Sequence, residues 1–180
     1  AIYLPYDRIS GQWAGVHFYE SSTDNELVDT EIRNATDALV MDQAKLDEEA
    51  YRLVMQDCVV HNSKGVGVEV TNSNVKIDHC QLTNAKGDCL AVIGGMAAIH
   101  YCTIAQFYPF DAERGAAMRL VNGDDCPLKH FVCVGTIATG YADDVVEGEQ
   151  IGDELDYRFE NCLLRTETID NGHFKDIIWE

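Results

Sequence analysis

Cys58-Val-Val-His-Asn62, Cys80-Gln-Leu-Thr-Asn84 and Cys102-Thr-Ile-Ala-Gln106 are one five-residue phrase written three times, with 22 residues from each cysteine to the next. A fixed period of twenty-odd residues marks stacked repeats, because each repeat buries its apolar face only against its neighbours. The phrase runs small, variable, aliphatic, variable, polar. Alternate side chains of a strand share a face, so the cysteine and the aliphatic residue two places on point inward together. Asn at the fifth place tolerates a left-handed backbone and ends the strand.

Three further segments fit the phrase: Thr30-Glu-Ile-Arg-Asn34, Gly135-Thr-Ile-Ala-Thr139 and Cys162-Leu-Leu-Arg-Thr166. Two short apolar patches precede each, such as Val66, Val68 and Val70 followed by Val75 and Ile77, or Leu90 and Val92 followed by Ile99. Gly65, Gly87, Gly94 and Gly95 fall at the breaks. Three strands and three turns in 22 residues describe one coil of a right-handed, single-stranded parallel β-helix, with about 4.8 Å between coils. The expected fold is therefore all-β, a solenoid of about six coils and roughly 29 Å, forming one domain over residues 1–180. A doubly wound α/β fold would need helices of ten or more residues between strands. Asp42 to Tyr51 has a helix-favouring composition, but it sits where the spacing stretches to 28 and reads as a loop extruded from the rod. The intervals of 33 before Gly135 and 27 after it read the same way.

The seven cysteines, Cys58, Cys80, Cys89, Cys102, Cys126, Cys133 and Cys162, are an odd number without a CxxC pair. This excludes a complete disulfide framework and a zinc ribbon. The repeating cysteines read as small apolar side chains stacked in a dry core, and the Asn column as an amide ladder closing turns.

The chain has 180 residues, enough for one sizeable core, and 31 acidic against 13 basic side chains give a net charge of −18. Such an excess repels phosphate backbones and anionic membrane surfaces, so a nucleic-acid partner is excluded. No run approaches the roughly 18 apolar residues of a membrane span, and AIYLPYDRIS lacks the pattern of a leader. A start without Met and a finish on the strand-like IIWE suggest a piece of a longer chain. Neighbouring domains or chains are then expected to cap the open coil ends.

Leu4 to Ala35, LPYDRISGQWAGVHFYESSTDNELVDTEIRNA, resembles a family of surface right-handed parallel β-helix proteins of gut anaerobic bacteria, within the pectin-lyase-like superfamily. Asp111 to Asn122, Asn161-Cys-Leu-Leu-Arg165, His173-Phe and Ile177-Ile-Trp179 resemble its later coils. The resemblance implies a cell-surface or extracellular location. It brings no catalytic residues, since most members have no assigned activity.

Polysaccharide cleavage is weighed residue by residue, since the fold alone assigns no chemistry. Gly123-Asp124-Asp125-Cys126 and Lys86-Gly87-Asp88-Cys89 are similar to the Asp-Asp-Cys run of polygalacturonases, and Asp88, Asp124 and Asp125 are the candidate catalytic carboxylates. The Asn-Thr-Asp triplet, His-Gly pair and Arg-x-Lys clamp of that family are absent from the sequence. Arg114, Arg119 and Lys129 are the nearest approach to a cationic clamp for a lyase. Asp143, Asp144, Glu147, Glu149, Asp153, Glu154 and Asp156 form an acidic run without a base, and the first three are candidate calcium ligands. The six histidines show no ligand spacing. Trp13, Phe107, Tyr108 and Tyr141, with Tyr6 and Phe110, are candidates for stacking on sugar rings. The reading that results is a non-catalytic surface β-helix module contacting a polysaccharide. The alternatives are a hydrolase or lyase acting through the three aspartates, and a spacer or adhesin rod.

Overall fold

The computed structural model describes residues 8–123, 125–150 and 156–180. Among them no α-helix is present, and every pairing between strands is parallel. The chain winds through three ladders in turn. The first stacks Val16–Phe18, Leu39–Met41, the leading halves of Val68–Asp78 and Leu90–His100, Met118–Asn122 and Val146–Gln150. The second stacks Asn25–Val28, Leu53–Gln56, the trailing halves of those two long strands, Leu128–Val134, Tyr157–Glu160 and Phe174–Lys175. The third, a seven-stranded sheet, runs Glu31–Arg33, Val59–His61, Gln81–Thr83, Thr103–Gln106, Ile137–Gly140, Leu163–Leu164 and Ile178–Trp179. The fold is the parallel solenoid that the 22-residue period predicts.

Inward side chains stack in columns. Leu39, Val68, Leu90 and Met118 form one, and Met55, Ile77, Ile99, Cys133 and Phe159 another. Ile32, Val60, Leu82, Ile104, Ala138 and Leu164 line the third ladder, and all these residues are buried. Each large aliphatic contributes about 1.5–3 kcal/mol by leaving water.

The corner from second to third ladder is a single left-handed residue repeated along the rod: Asp29, Asp57, His79, Tyr101, Gly135, Asn161 and Asp176, with φ between 48° and 61°. The residue after it carries the period. Cys58, Cys80, Cys102 and Cys162 each turn Sγ onto the carbonyl two residues back, at 3.2 Å, and Thr136 Oγ1 donates to Val134 in the same way, also at 3.2 Å. The same atoms accept from the coil before: the Cys80 N–H meets Cys102 Sγ at 3.4 Å, and the Cys102 N–H meets Thr136 Oγ1 at 3.2 Å.

The structure corrects one register of the repeat. Ile104 pairs with Ala138, so Thr136 lies beneath Cys102, where the sequence pattern places Gly135. Gly135 is the left-handed corner itself, with φ 61°, and a Cβ there would lie 2.6 Å from the Tyr101 ring. The strand accordingly ends on Gly140 and not on Thr139. Smallness is the wrong criterion for this column: from Thr30 to Cys162 it holds Cys or Thr, whose γ atom donates across the corner, and only after the last corner does an apolar residue, Ile177, take the place. The Asn column stands: Asn34, Asn62 and Asn84 all have φ near 58°, and Asn62 Nδ2 donates to Asn34 Oδ1 at 2.6 Å.

The segment 42–52 forms an irregular loop. Its helix-forming residues are overruled by polar anchors, since Asn72 Nδ2 and Asn74 Nδ2 donate to the Ala44 and Glu48 carbonyls, and Lys129 pairs with Glu48. These contacts lay the loop lengthwise over the corner between the first and second ladders.

Candidate functional site

Alternation along the first ladder fixes which side chains face outward. Register places His17, Val40, Glu69, Ala91, Arg119 and Glu147 in one column on its outer surface. Two residues before each strand runs a second column that includes Asp37 and Asp88. Each of these carboxylates reaches over the next coil, Asp37 Oδ1 accepting from the Val66 N–H at 3.0 Å and Asp88 Oδ1 from the Ala116 N–H at 2.7 Å. Gly65 and Gly115 make this possible, because a Cβ would stand 2.0 Å from Asp37 Oδ1 and 2.5 Å from Asp88 Oδ1 respectively.

Glu69 lies between these two carboxylates. Burial pushes its carboxyl above the ordinary range, and the negative charges of Asp37 and Asp88 add to the shift. Arg119 closes the far side, bonded to Asp88 at 2.8 Å through Nε and to Glu147 at 2.5 Å through Nη1.

The surface here is concave. A depression of about 530 Å3 is lined by His17, Asp37, Val40, Val66 and Glu69. A larger one of about 790 Å3 lies where the 42–52 loop overhangs the rod, lined by Tyr19, Glu20, Asp24, Asp42, Tyr51 and Arg52 among others. His17 Nε2 and Asp42 Oδ1, 2.7 Å apart, join the two. Tyr19 stacks on His17 at 4.3 Å yet remains 63% exposed, and Tyr51 is 43% exposed. Arg52 is buried beneath them. Its guanidinium donates to the carbonyls of Tyr19, Ser22 and Asp42 and to Ser73 Oγ, tying loop to coil. Burial lowers the Arg52 pKa, yet the group remains charged at neutral pH.

The residues that the sequence singles out are spread over the rod. Asp88 is held in the Arg119 ion pair just before the first-ladder strand that begins at Leu90, whereas Asp125 is exposed on the turn beyond the far end of the next strand, between Asn122 and Leu128. The two do not share a groove, and Asp124 lies outside the described residues, as do Tyr6, Asp153 and Glu154. Tyr108 is buried at 5% exposure with its hydroxyl 2.9 Å from Ser10 Oγ, so its ring presents no face to a ligand. Phe107 and Tyr141 meet edge to face at 4.9 Å, and Arg114 covers the Tyr141 ring at 4.7 Å. Trp13 sits on the first coil, its indole N–H donating to the Arg33 carbonyl. Asp143 pairs with Arg165, Asp144 accepts from Thr166 Oγ1 and Glu147 faces Arg119. Each of the three thus has a protein partner, and among the described residues no three His, Cys, Asp or Glu side chains converge on a metal-sized site. Arg114, Arg119 and Lys129 are engaged at separate places and form no clamp.

Tyr19, Tyr51, Arg52, Asp37 and Glu69 escape the sequence reading. A signal existed for Glu69, a lone acid between inward Val68 and Val70, but nothing in the sequence shows that the loop roofs the coil beside it.

The model of the right handed β-helix region matches residues 7–107. No curated protein and no solved structure matches the chain significantly.

Proposed function

We propose that this chain, which belongs to the right handed β-helix family, is a non-catalytic cell-surface or extracellular module that holds a neutral or amine-bearing polysaccharide along the outer face of its first ladder. The observation that carries this is the continuous groove in which the exposed rings of Tyr19 and Tyr51 lie beside the carboxylates of Glu20, Asp24 and Asp42. Tyrosine faces match the apolar C–H faces of sugar rings, while carboxylates accept from sugar hydroxyls. Both features suit an extended, hydroxyl-rich chain.

The charge selects among polysaccharides. At −18 overall, with acids lining both depressions and Arg52 occupied by carbonyls, the groove repels polyuronates. The pectin-lyase-like chemistry suggested by the family resemblance therefore fits this surface poorly. No helix among the described residues is long and apolar enough to cross a membrane.

A glycan array carrying neutral, amino and uronic polysaccharides tests the proposal. Binding to the first two classes is expected, weakened about tenfold by Tyr19→Ala or Tyr51→Ala, the equivalent of one stacking contact of about 1.4 kcal/mol. Binding restricted to polyuronates, or unchanged by both substitutions, overturns it. One observation favours a hydrolytic second reading: burial, with Asp37 and Asp88 nearby, raises the Glu69 pKa beside the Asp37 carboxylate, the direction in which a general acid beside a base is tuned. Release of reducing ends that disappears in Glu69→Gln would establish that reading. Silence in both assays would leave the spacer rod.

A further inference from the structure

Cys133 does not belong to the corner column. It is an inward residue of the second ladder, stacked between Ile99 and Phe159, and it faces Cys162 of the next coil across the corner. The two sulfurs lie 3.9 Å apart, and Cys162 Sγ is also 3.5 Å from the Cys133 carbonyl oxygen. Stacked column cysteines point in parallel, but these two approach from different walls of the core.

We propose that Cys133 and Cys162 are a redox-modification site, closing a disulfide that bolts one coil to the next when the chain meets a peroxide. Both thiols are buried in the core, and besides the Glu160 and Cys133 carbonyls the Cys162 sulfur has Cys133 Sγ within reach. The Cys133 thiol against it draws the Cys162 pKa down in spite of burial, which favours Cys162 as the attacking sulfur of the pair. Access comes through opening of the adjoining two-residue strands Leu163–Leu164 and Phe174–Lys175, which are short enough to fray.

The Cys162 thiolate attacks one oxygen of hydrogen peroxide, the O–O bond breaks, and the departing hydroxide takes up a proton to leave as water. Cys162 is then a sulfenic acid. Cys133 sulfur attacks Cys162 Sγ, the S–O bond breaks, and the hydroxide released combines with the Cys133 proton as a second water. Two thiols have lost two electrons and two protons, and the peroxide has been reduced to two waters.

The experiment treats the full folded chain with hydrogen peroxide, then denatures it under acid and counts thiols. The count is expected to fall from seven to five, with a mass loss of about two daltons. Peptide mapping is expected to find one cross-link, joining Cys133 to Cys162. Cys162→Thr is the matched variant, because Thr136 already fills the same place in another coil; its six remaining thiols should survive the treatment. Cys133→Ala removes the resolving thiol, so no cross-link should form and any oxidised Cys162 should stop at the sulfenic acid. In the parent chain the thermal midpoint should rise by several degrees and return on reduction with dithiothreitol. An unchanged thiol count, a cross-link between other cysteines, or an equal loss of thiols in Cys162→Thr overturns the proposal.

Discussion

Thr136 does with oxygen what Cys58, Cys80, Cys102 and Cys162 do with sulfur: it donates across the left-handed corner and accepts a backbone N–H of the coil before. Shape alone therefore does not define the position. Thr136→Val keeps the volume and removes both bonds, leaving the buried Cys102 N–H without its acceptor, and should cost about 1–3 kcal/mol in urea unfolding. Cys80→Thr restores the same chemistry and should cost less than about 1 kcal/mol. Equal losses in the two variants would show that packing, not hydrogen bonding, sets the column. Glu69 supplies a pH test. Its carboxyl is harder to ionise in the folded chain than at the ordinary 4.5, so the folded state binds the proton more tightly. Ionisation then costs stability as pH rises from 4.5 through the raised folded value, and the loss persists above it. Glu69→Gln should melt a few degrees above the parent at pH 8 and level with it near pH 4. A constant offset across that range would remove the burial argument.

At the scale of elements, the 42–52 loop is held by a few polar contacts and not by an apolar face. Arg52→Met strands three carbonyls and frees the loop, so it should lower stability by about 2–4 kcal/mol and weaken glycan binding together. Retained binding with lost stability would place the ligand outside the groove. The two long strands raise a different matter, since each must bend where the first ladder becomes the second. Gly95, at φ 80°, lies so close to Ser73 of the coil before that a Cβ would sit 2.4 Å from its N and O. Gly95→Ala should therefore cost more than about 2 kcal/mol by denaturant unfolding, in backbone strain and displacement of that coil. Glycine at the break was legible in the sequence, but the neighbouring coil that makes it obligatory was not. The helix-like composition of 42–51 misleads for the opposite reason: propensity is a weak prior that tertiary anchors override.

For the whole molecule, charge is the dominant global property. A rod carrying −18 repels itself, and its clips between coils are partly exposed pairs such as Arg119–Glu147 and Lys86–Asp111. Screening should relieve the repulsion by more than it weakens those pairs. Raising sodium chloride from roughly 0.05 to 0.5 M should thus raise the melting temperature. A fall would mean that the paired charges outweigh the unpaired ones. Because every strand pairs only with the coils on either side, and the Lys129–Glu48 and Ser10–Tyr108 contacts are the kind that reach further, damage to one coil should propagate mainly along the stack and not through a shared centre.

The architecture was set by the sequence alone. Period 22, inward alternation and Asn at the turns leave a chain no other way to bury its aliphatic residues, and these are local or nearest-neighbour properties that spacing encodes. The functional surface was decided by tertiary structure. Glu69 acquires its raised proton affinity from burial among stacked coils and from Asp37 and Asp88, which lie 32 residues before it and 19 after it, and the groove exists because Arg52 ties the 42–52 loop back to the 19–22 turn. Such relations depend on how far a loop reaches across stacked coils. No periodicity along the chain records that distance.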